Sequence, residues 1–255
     1  MNKGKLYLVP NGLDFGVEGA AVDLQQVLPL HVIQIAAGLT HWAAESAKTT
    51  RAFLKKVDAV VPLAQPLQSL QISELPRPPK GRAADQVNQS QAWQSLLKPA
   101  LAGQDIGLIS EAGLPAVADP GALLVAAAHD ADIEVIPLSG PSALLMALAA
   151  SGLNGQSFAF VGYLPVDGPA RNSRIRELEA LSVRQQQTQL MIETPYRNSA
   201  LLQGLLTALR PQTKLSISCG LTLPQGWTRS ATVEQWRSSG EGMPNNIPAV
   251  FAILG

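Results

Sequence analysis

Two strand–loop–helix units in the middle of the chain constrain its fold more than any other feature. The apolar run Ile106–Ile109 predicts a strand, and a loop of mostly small residues follows it at 110–115. A second strand, predicted at 133–138, leads into a similar loop at 139–142. Because each loop precedes a helix, the strands should be parallel and end at the edge where open α/β sheets bind ligands. We expect the two strands to be neighbours and their loops to form one site.

The alternation of strands and helices before residue 138 predicts a parallel sheet covered by helices. Strands are predicted at 5–9, 67–72, 106–109 and 133–138, and helices at 30–39, 47–57 and 85–101, the last with a kink near Pro99. Residues 42–45 are ambiguous from pattern alone. A further helix is predicted after each of the two loops.

The regular alternation of predicted strands and helices ends after residue 152. Strands are predicted at 158–164, 189–192, 215–218, 227–233 and 248–254, and helices at 171–184 and 198–209. No helix is predicted between the last three strands, which favours a mixed sheet. We therefore expect an α/β chain of two domains, an N-terminal one at 1–138 and a C-terminal one at 139–255.

The amino-acid composition indicates the cellular compartment and excludes some classes of binding partner. Lys and Arg together number 19, as do Asp and Glu, and this balance argues against strong nonspecific attraction to phosphate backbones. The single cysteine, Cys219, excludes an intrachain disulfide and fits a reducing compartment. Neither a signal peptide nor a run of ~18 apolar residues is apparent, so we expect a cytoplasmic protein without a membrane partner.

Three weaker features bear on chemistry: the cysteine, the histidines and a basic loop. Cys219 is interpreted as a buried strand thiol, the alternative being a nucleophile that needs an adjacent base. The three histidines have no carboxylate at a ligand spacing, so no metal site is expected. Arg77, Lys80 and Arg82 lie in a Pro-rich loop that would either grip an anionic substrate such as RNA or be a solvated surface loop.

The two central loops belong to a longer pattern. It comprises Ser110-Glu111-Ala112-Gly113-Leu114-Pro115 and Asp119-Pro120-Gly121, followed by residues 137–143, 147–153 and 160–165. In order and spacing this pattern resembles the tetrapyrrole methylase superfamily of S-adenosylmethionine-dependent methyltransferases. The most similar branch contains the bacterial 16S rRNA ribose 2′-O-methyltransferase. The resemblance implies a two-domain tetrapyrrole-methylase-like fold, with a parallel sheet in the N-terminal domain and a mixed sheet in the C-terminal domain.

Shorter segments extend the resemblance over nearly the whole chain, at 6–10, 43–51, 193–197 and 248–251. The resemblance also favours a short strand at 42–45. Three departures stand beside it. Residues 11–16 differ from the first loop of that branch, Glu111 stands where the family has Asp, and residues 218–223 carry no acid or base. We also expect the chain to lack the C-terminal extension of the branch. These departures favour a sister branch whose methyl acceptor the motif does not fix.

The resemblance also implies S-adenosylmethionine as the cofactor, bound in the cleft between the domains. Small residues let backbone amides and carbonyls approach a folded cofactor, and helix starts offer free N–H groups to its carboxylate. The residues implied are Pro10, Ser110, Glu111, Ala112, Gly113, Pro115, Ser139, Gly140, Ser142, Ala143, Thr194, Ala249 and Val250. Taken singly, Gly113 and Pro115 could be ordinary turn residues, and Asp119 and Ser142 could be helix caps.

The catalytic candidates come from segments that resemble the lining of the family's cleft. They are Glu45, Lys48 and Tyr196, with Glu193 and Arg197 beside them. A general base would assist transfer to a hydroxyl or amide. Two alternatives stay open: the acceptor loses its proton to water, and these side chains form an ion pair where the domains meet.

We therefore predict an S-adenosylmethionine-dependent methyltransferase that forms a homodimer and methylates an rRNA ribose 2′-hydroxyl. A tetrapyrrole, a protein side chain or a small molecule stays open as the acceptor. The alternative from another class is a non-catalytic S-adenosylmethionine-binding regulatory protein, which the altered first loop and the missing acid near Gly220 favour. A hydrolase or dehydrogenase finds no support, because no nucleophile elbow, Walker loop or dinucleotide fingerprint is present.

Overall fold

The computed structural model describes residues 2–14, 23–76 and 86–255, with the backbone alone described for 86–90. Contacts divide these residues into two compact units, of which the first ends at Pro141 and the second begins at Ser142. The predicted basic loop residues Arg77, Lys80 and Arg82 lie outside the described residues.

The first unit contains a five-stranded sheet in the order β3-β2-β4-β1-β5. Its strands are β1 (Leu6–Leu8), β2 (His41–Ala44), β3 (Gln71–Glu74), β4 (Ile106–Ile109) and β5 (Val135–Pro137). Its helices are α1 (Leu24–Val27), α2 (Leu30–Gly38), α3 (Ala47–Asp58), α4 (Gln86–Leu96), α5 (Lys98–Leu101) and α6 (Ala122–Asp130). Every neighbouring pair of strands is parallel, which confirms the predicted sheet.

Apolar clusters cover both faces of this sheet. Trp42 of β2 packs in one cluster with Ile33 of α2 and Leu54 of α3. The next residue, Ala43, points to the opposite face and packs in a second cluster with Leu124 of α6. Strand β4 is buried along its whole length, as expected of a central strand covered on both sides. Helices on both faces leave the carboxyl ends of the strands as the place for loops.

The prediction that β4 and β5 are neighbours is wrong, because β1 lies between them. Leu6 of β1 pairs with Ile106 on one side and with Val135 on the other. The chain therefore inserts its first strand between two strands that follow each other later in the sequence. As a consequence, the loop after β1 lies between the two loops that were predicted to meet directly.

The second unit contains a sheet in the order β6-β7-β10-β8-β9. Its strands are β6 (Phe158–Tyr163), β7 (Thr188–Glu193), β8 (Lys214–Cys219), β9 (Trp227–Thr232) and β10 (Ala249–Leu254). Its helices are α7 (Ala143–Ser151), α8 (Gly168–Gln185), α9 (Asn198–Ala208) and α10 (Val233–Ser239). Strands β6 and β7 are parallel and the remaining pairs antiparallel, which confirms the predicted mixed sheet.

Two of the larger departures from the predictions lie in one helix and one strand. A helix, α10, separates β9 from β10, where none was predicted. The Thr232 hydroxyl accepts from the Gln235 N–H at 3.2 Å, and the Gln235 side chain accepts from the Thr232 N–H at 3.0 Å, so a capping box starts this helix. The strand predicted at 67–72 begins only at Gln71, because a short 3-10 helix occupies Leu67–Ser69.

Candidate functional site

The loop after β1 is joined to the loop after β4 by backbone hydrogen bonds. The Asn11 N–H donates to the Gly113 carbonyl at 3.0 Å, and the Gly113 N–H donates back to the Asn11 carbonyl at 3.2 Å. The Asn11 side-chain amide adds a bond to the Glu111 carbonyl at 3.0 Å. Gly113 has a φ of +70°, a conformation that suits glycine. The two loops therefore form one backbone layer at the carboxyl edge of the sheet.

The loop after β5 packs on the opposite side of the β1 loop. A Cβ atom on Gly140 would lie 2.3 Å from Cβ and Cγ of Pro10, so only glycine allows this approach. A Cβ on Gly113 would lie 3.3 Å from the Pro141 carbonyl oxygen. The structure thus brings Pro10, Gly113 and Gly140 together, with Ser110, Ala112 and Ser139 in the same three loops.

The continuation of the β4 loop is strained and is held by Asp119. Ala116 and Ala118 have φ values of +66° and +64°, which are unusual for residues with a side chain. One oxygen of Asp119 accepts from the Ala116 N–H at 3.1 Å and the Gly121 N–H at 2.6 Å. Its other oxygen is buried and has no hydrogen-bond partner among the described residues. Burial raises the pKa of the Asp119 carboxyl, and the backbone hydrogen bonds oppose this rise.

Glu45 reaches the β4 loop from the end of the adjacent strand β2. Its N–H donates to the Ile109 carbonyl at 3.1 Å, and its carboxylate accepts from the Glu111 N–H at 2.9 Å. The Glu111 side chain itself is exposed. Lys48, on the first turn of α3, is exposed and pairs with no residue in the described ranges. This arrangement suits Glu45 to positioning the loop rather than to proton abstraction.

The remaining predicted cofactor residues lie in the second unit. Ala249 pairs with Glu193 of β7 on one side and with Cys219 of β8 on the other. Thr194 follows Glu193 directly, so it lies at the same end of the sheet. Ala143, at the start of α7, packs in one apolar cluster with Val250. Ser142 occupies the N-cap position of α7, but its hydroxyl makes no capping hydrogen bond.

Glu193 and Arg197 form a buried ion pair inside the second unit. The Glu193 carboxylate, 2% exposed, accepts from Arg197 Nη2 at 2.6 Å. The same oxygen accepts from the Thr194 N–H at 2.8 Å. These partners all bond to Oε1, which suits Glu193 to a structural role in holding Arg197 and the start of the following turn. Tyr196 is 70% exposed, and its ring centroid lies 5.5 Å from the Arg197 guanidinium carbon.

Cys219 is buried at the end of β8, as predicted. Burial raises the pKa of its thiol to about 11, which disfavours the thiolate that a nucleophile requires. No cluster of three or more His, Cys, Asp or Glu suited to a metal ion occurs in the part of the chain that is described. Within the same part, no helix is both long enough and apolar enough to cross a membrane.

Sequence reasoning missed two residues that organise the loops. In the sequence Asn11 stands out only as a departure from a motif, although an Asn directly after a strand and a proline indicates a side chain that hydrogen-bonds nearby backbone. Asp119 belongs to a motif turn and is a candidate helix cap, and the structure shows that it also holds the strained turn at Ala116. Both contacts join residues that a linear pattern does not place together.

Comparison with known families adds an independent observation. Residues 36–235 match the family model described as Tetrapyrrole (Corrin/Porphyrin) Methylases. This segment includes the loops after β4 and β5 and most of the second unit.

Curated relatives match the chain over about half of its length. The ribosomal RNA small subunit methyltransferase I of Vibrio cholerae is 37% identical over 135 residues, which cover 53% of this chain and 46% of that protein. The protein of the same name from Mesorhizobium japonicum is 40% identical over 135 residues, which cover 53% and 45%. The chain thus spans about half the length of the curated relatives it matches.

Solved structures resemble the fold over almost the whole chain. The uroporphyrin-III C-methyltransferase of Thermus thermophilus has a TM-score of 0.53 at 20% identity, covering 98% of this chain and 92% of that one. The methyltransferase CobJ has a TM-score of 0.57 at 17% identity, covering 99% and 94%. At such low identity these likenesses bear on the fold alone, and they confirm the predicted tetrapyrrole-methylase-like fold.

Replacing Glu45 distinguishes a positioning role from a catalytic one. Glu45→Gln keeps an oxygen that accepts from the Glu111 N–H, whereas Glu45→Ala removes it. We expect Glu45→Ala to bind S-adenosylhomocysteine about tenfold more weakly and Glu45→Gln to stay within about threefold of the wild type, because one hydrogen bond to a charged group contributes about 1.5–3 kcal/mol. Calorimetry measures both. Equal weakening in the two variants would contradict a role through the N–H contact.

Gly140→Ala tests the close packing of the β1 and β5 loops. The added methyl group would meet the rigid Pro10 ring at 2.3 Å, so the loop must shift. We expect the variant to lose about 1–3 kcal/mol of stability and to bind S-adenosylhomocysteine at least tenfold more weakly. Gly155→Ala is the matched control, because a Cβ there meets no atom within 4 Å. Wild-type stability and affinity in Gly140→Ala would refute the packed-loop arrangement.

The Cys219 thiol should be inert in the folded protein. With a pKa of about 11, roughly one thiol in a thousand is ionised at pH 8, and burial further limits access. We expect Ellman's reagent to label Cys219 only after unfolding in denaturant. Rapid stoichiometric labelling of the native protein at pH 8 would show that the thiol is accessible and reactive.

Proposed function

We propose that this chain, which belongs to the tetrapyrrole (corrin/porphyrin) methylase family, transfers the methyl group of S-adenosylmethionine to a ribose 2′-hydroxyl of small-subunit ribosomal RNA. The observation that carries this proposal is the packing of the β1, β4 and β5 loops at the carboxyl edge of the parallel sheet. Asn11 pairs with Gly113, and Pro10 lies against Gly140. Such an edge, where strand connections diverge, is the ligand site of open α/β sheets.

The residues present suit a folded nucleoside cofactor. Gly140 lets the loop after β5 pack directly against Pro10, and the exposed carboxylate of Glu111 can accept hydrogen bonds from hydroxyl or amino groups. We propose that the cofactor is held by Pro10, Ser110, Glu111, Ala112, Gly113, Pro115, Ser139, Gly140, Ser142, Ala143, Thr194, Ala249 and Val250. Support for S-adenosylmethionine includes a structural neighbour from Thermus thermophilus described as complexed with S-adenosylhomocysteine, with a TM-score of 0.52.

The chain's contribution to the reaction is positioning and exclusion of water. These loops would hold S-adenosylmethionine, which would supply an electrophilic methyl group: the acceptor oxygen would bond to the methyl carbon as the carbon–sulfur bond breaks, S-adenosylhomocysteine would be the leaving group, and the hydroxyl proton would pass to bulk solvent once the transfer is complete. Glu45 holds the Glu111 backbone, and the strained turn at Ala116 is fixed by Asp119. We assign Lys48 and Tyr196, both exposed, to contact with the acceptor rather than to proton abstraction.

The acceptor is proposed from kinship. The curated relatives, at 37% and 40% identity, are named ribosomal RNA small subunit methyltransferase I.

We further propose that the chain acts in the cytoplasm as a homodimer, and that its domains are 1–138 and 139–255. The two compact units support this division, although the boundary between them in the sequence falls three residues later, between Pro141 and Ser142.

A second candidate function is a non-catalytic protein that binds S-adenosylmethionine and regulates a partner. The engagement of both candidate carboxylates supports it. Glu45 accepts from the Glu111 N–H and Glu193 from Arg197, contacts that give both carboxylates a structural role.

Methyl transfer to ribosomes separates these candidates. We expect the purified protein to transfer tritiated methyl from S-adenosylmethionine to small ribosomal subunits taken from a strain that lacks its gene. The label should survive alkaline hydrolysis as a single resistant dinucleotide, because 2′-O-methylation blocks cleavage at that phosphate. Subunits from the parent strain, already methylated, are the control.

Binding of S-adenosylhomocysteine without transfer to any fraction would favour the regulatory protein. Label only in tetrapyrrole, protein or small molecules would replace the RNA acceptor.

A further inference from the structure

Helix α3 presents a line of three cations to solvent. Lys48, Arg51 and Lys55 are exposed, whereas the buried residues of the helix, among them Leu54, lie on its other side. Residues three or four positions apart are neighbours on a helix surface, so the three cations form one continuous line, which we call the α3 stripe. At a rise of about 1.5 Å per residue the stripe extends over about 10 Å.

The α3 stripe begins next to the candidate site in the first unit. Strand β2 ends at Ala44, and the next residue, Glu45, accepts from the Glu111 N–H of the β4 loop at 2.9 Å. Lys48 follows three residues later, on the first turn of α3. Because α3 connects two parallel strands, it runs back from the carboxyl edge of the sheet. The stripe therefore leads from the edge that carries the packed loops along the outer surface of the first unit.

The cations of the α3 stripe form no ion pair with any described residue. The one acid of the helix, Asp58, accepts from the Leu63 N–H at 3.0 Å instead. The fourth cation of the helix, Lys56, pairs with Asp14 and is not part of the stripe. No acid lies in the first turn, where negative charge would be favourable, and neighbouring like charges repel each other. The stripe is therefore available to an anion from outside the chain.

We propose that the α3 stripe binds consecutive backbone phosphates of the RNA that carries the methylated ribose. The inference rests on the proposed function and adds a surface to it. Each strand of duplex DNA carries one phosphate per about 3.4 Å of axis, and a spacing of that order in RNA places about three phosphates along the stripe, one for each cation. Such contacts fix the register of a nucleic acid without reading its bases. Because Lys and Arg balance Asp and Glu over the whole chain, attraction of a polyanion requires a local cluster of this kind.

Removing two cations tests the phosphate contacts. Arg51→Gln combined with Lys55→Gln changes no residue that is proposed to bind cofactor. We expect this double variant to bind small ribosomal subunits from the strain that lacks the gene about tenfold more weakly at about 0.1 M salt. The slope of log Kd against log salt concentration should fall by about 1.4–1.8, because two phosphate contacts are lost. Filter binding over a range of salt concentrations measures both.

Helix α8 provides the matched control for this double variant. Arg176 and Arg184 are exposed cations of that helix, so Arg176→Gln combined with Arg184→Gln makes the same change in net charge. We expect the control to bind subunits within about twofold of the wild type, with an unchanged salt dependence. Both double variants should bind S-adenosylhomocysteine as the wild type does in calorimetry.

A negative charge placed inside the stripe separates binding from folding. Ala52 is exposed and lies four residues after Lys48 and three before Lys55. Ala52→Glu should pair with these cations, and we expect it to melt at or above the temperature of the uncharged Ala52→Gln variant. It should nevertheless bind subunits about fivefold more weakly at about 0.1 M salt, whereas Ala52→Gln should bind like the wild type.

Four outcomes count against the proposal. Wild-type binding of subunits by the Arg51→Gln, Lys55→Gln variant would show that the stripe is only a solvated surface. Equal weakening in the α8 control would reduce the effect to net charge. Weakening with whole subunits but not with protein-free small-subunit RNA would assign the stripe to a ribosomal protein. A wild-type protein that binds S-adenosylhomocysteine but neither subunits nor RNA would overturn the RNA acceptor itself, whereas the first three outcomes overturn only the role of the stripe.

Discussion

The backbone pairing of Asn11 with Gly113 joins the loop after β1 to the loop after β4, and the other features of the candidate site in the first unit depend on it. It requires β1 to lie beside β4, and because β1 also lies beside β5, the same strand order brings Pro10 against Gly140. With the loops packed backbone to backbone, side chains can be small and polar backbone groups can face a ligand. Glu45 and Asp119 then fix the β4 loop through N–H groups.

Local pattern predicted most of the elements. The apolar run at β4 and the Asp119-Pro120-Gly121 turn predicted a strand and the start of α6, because both signals lie within a few neighbouring residues. The order of strands could not be predicted in this way. The pairing of β1 with both β4 and β5 joins residues about a hundred positions apart, and no periodicity encodes such a partner. The residues of the capping box at Thr232 are present in the sequence, but they overlap the run that predicts a strand at 227–233.

The same distinction between local pattern and long-range contact applies to the residues of the candidate site. Small residues such as Gly113 and Gly140 can be recognised in a motif, because glycine is required where backbone approaches backbone. The roles of charged side chains were less predictable, since Glu45 and Glu193 find their partners only in the fold.

Hydrogen–deuterium exchange of the whole chain, with and without saturating S-adenosylhomocysteine, tests most directly whether the three packed loops bind the cofactor. If they do, ligand should slow exchange in peptides covering residues 10–13, 110–115 and 139–143, and leave the solvent-facing turns of α8 unchanged. Protection confined to other segments, or no protection at a ligand concentration that saturates binding, would contradict a cofactor site at the carboxyl edge of the parallel sheet.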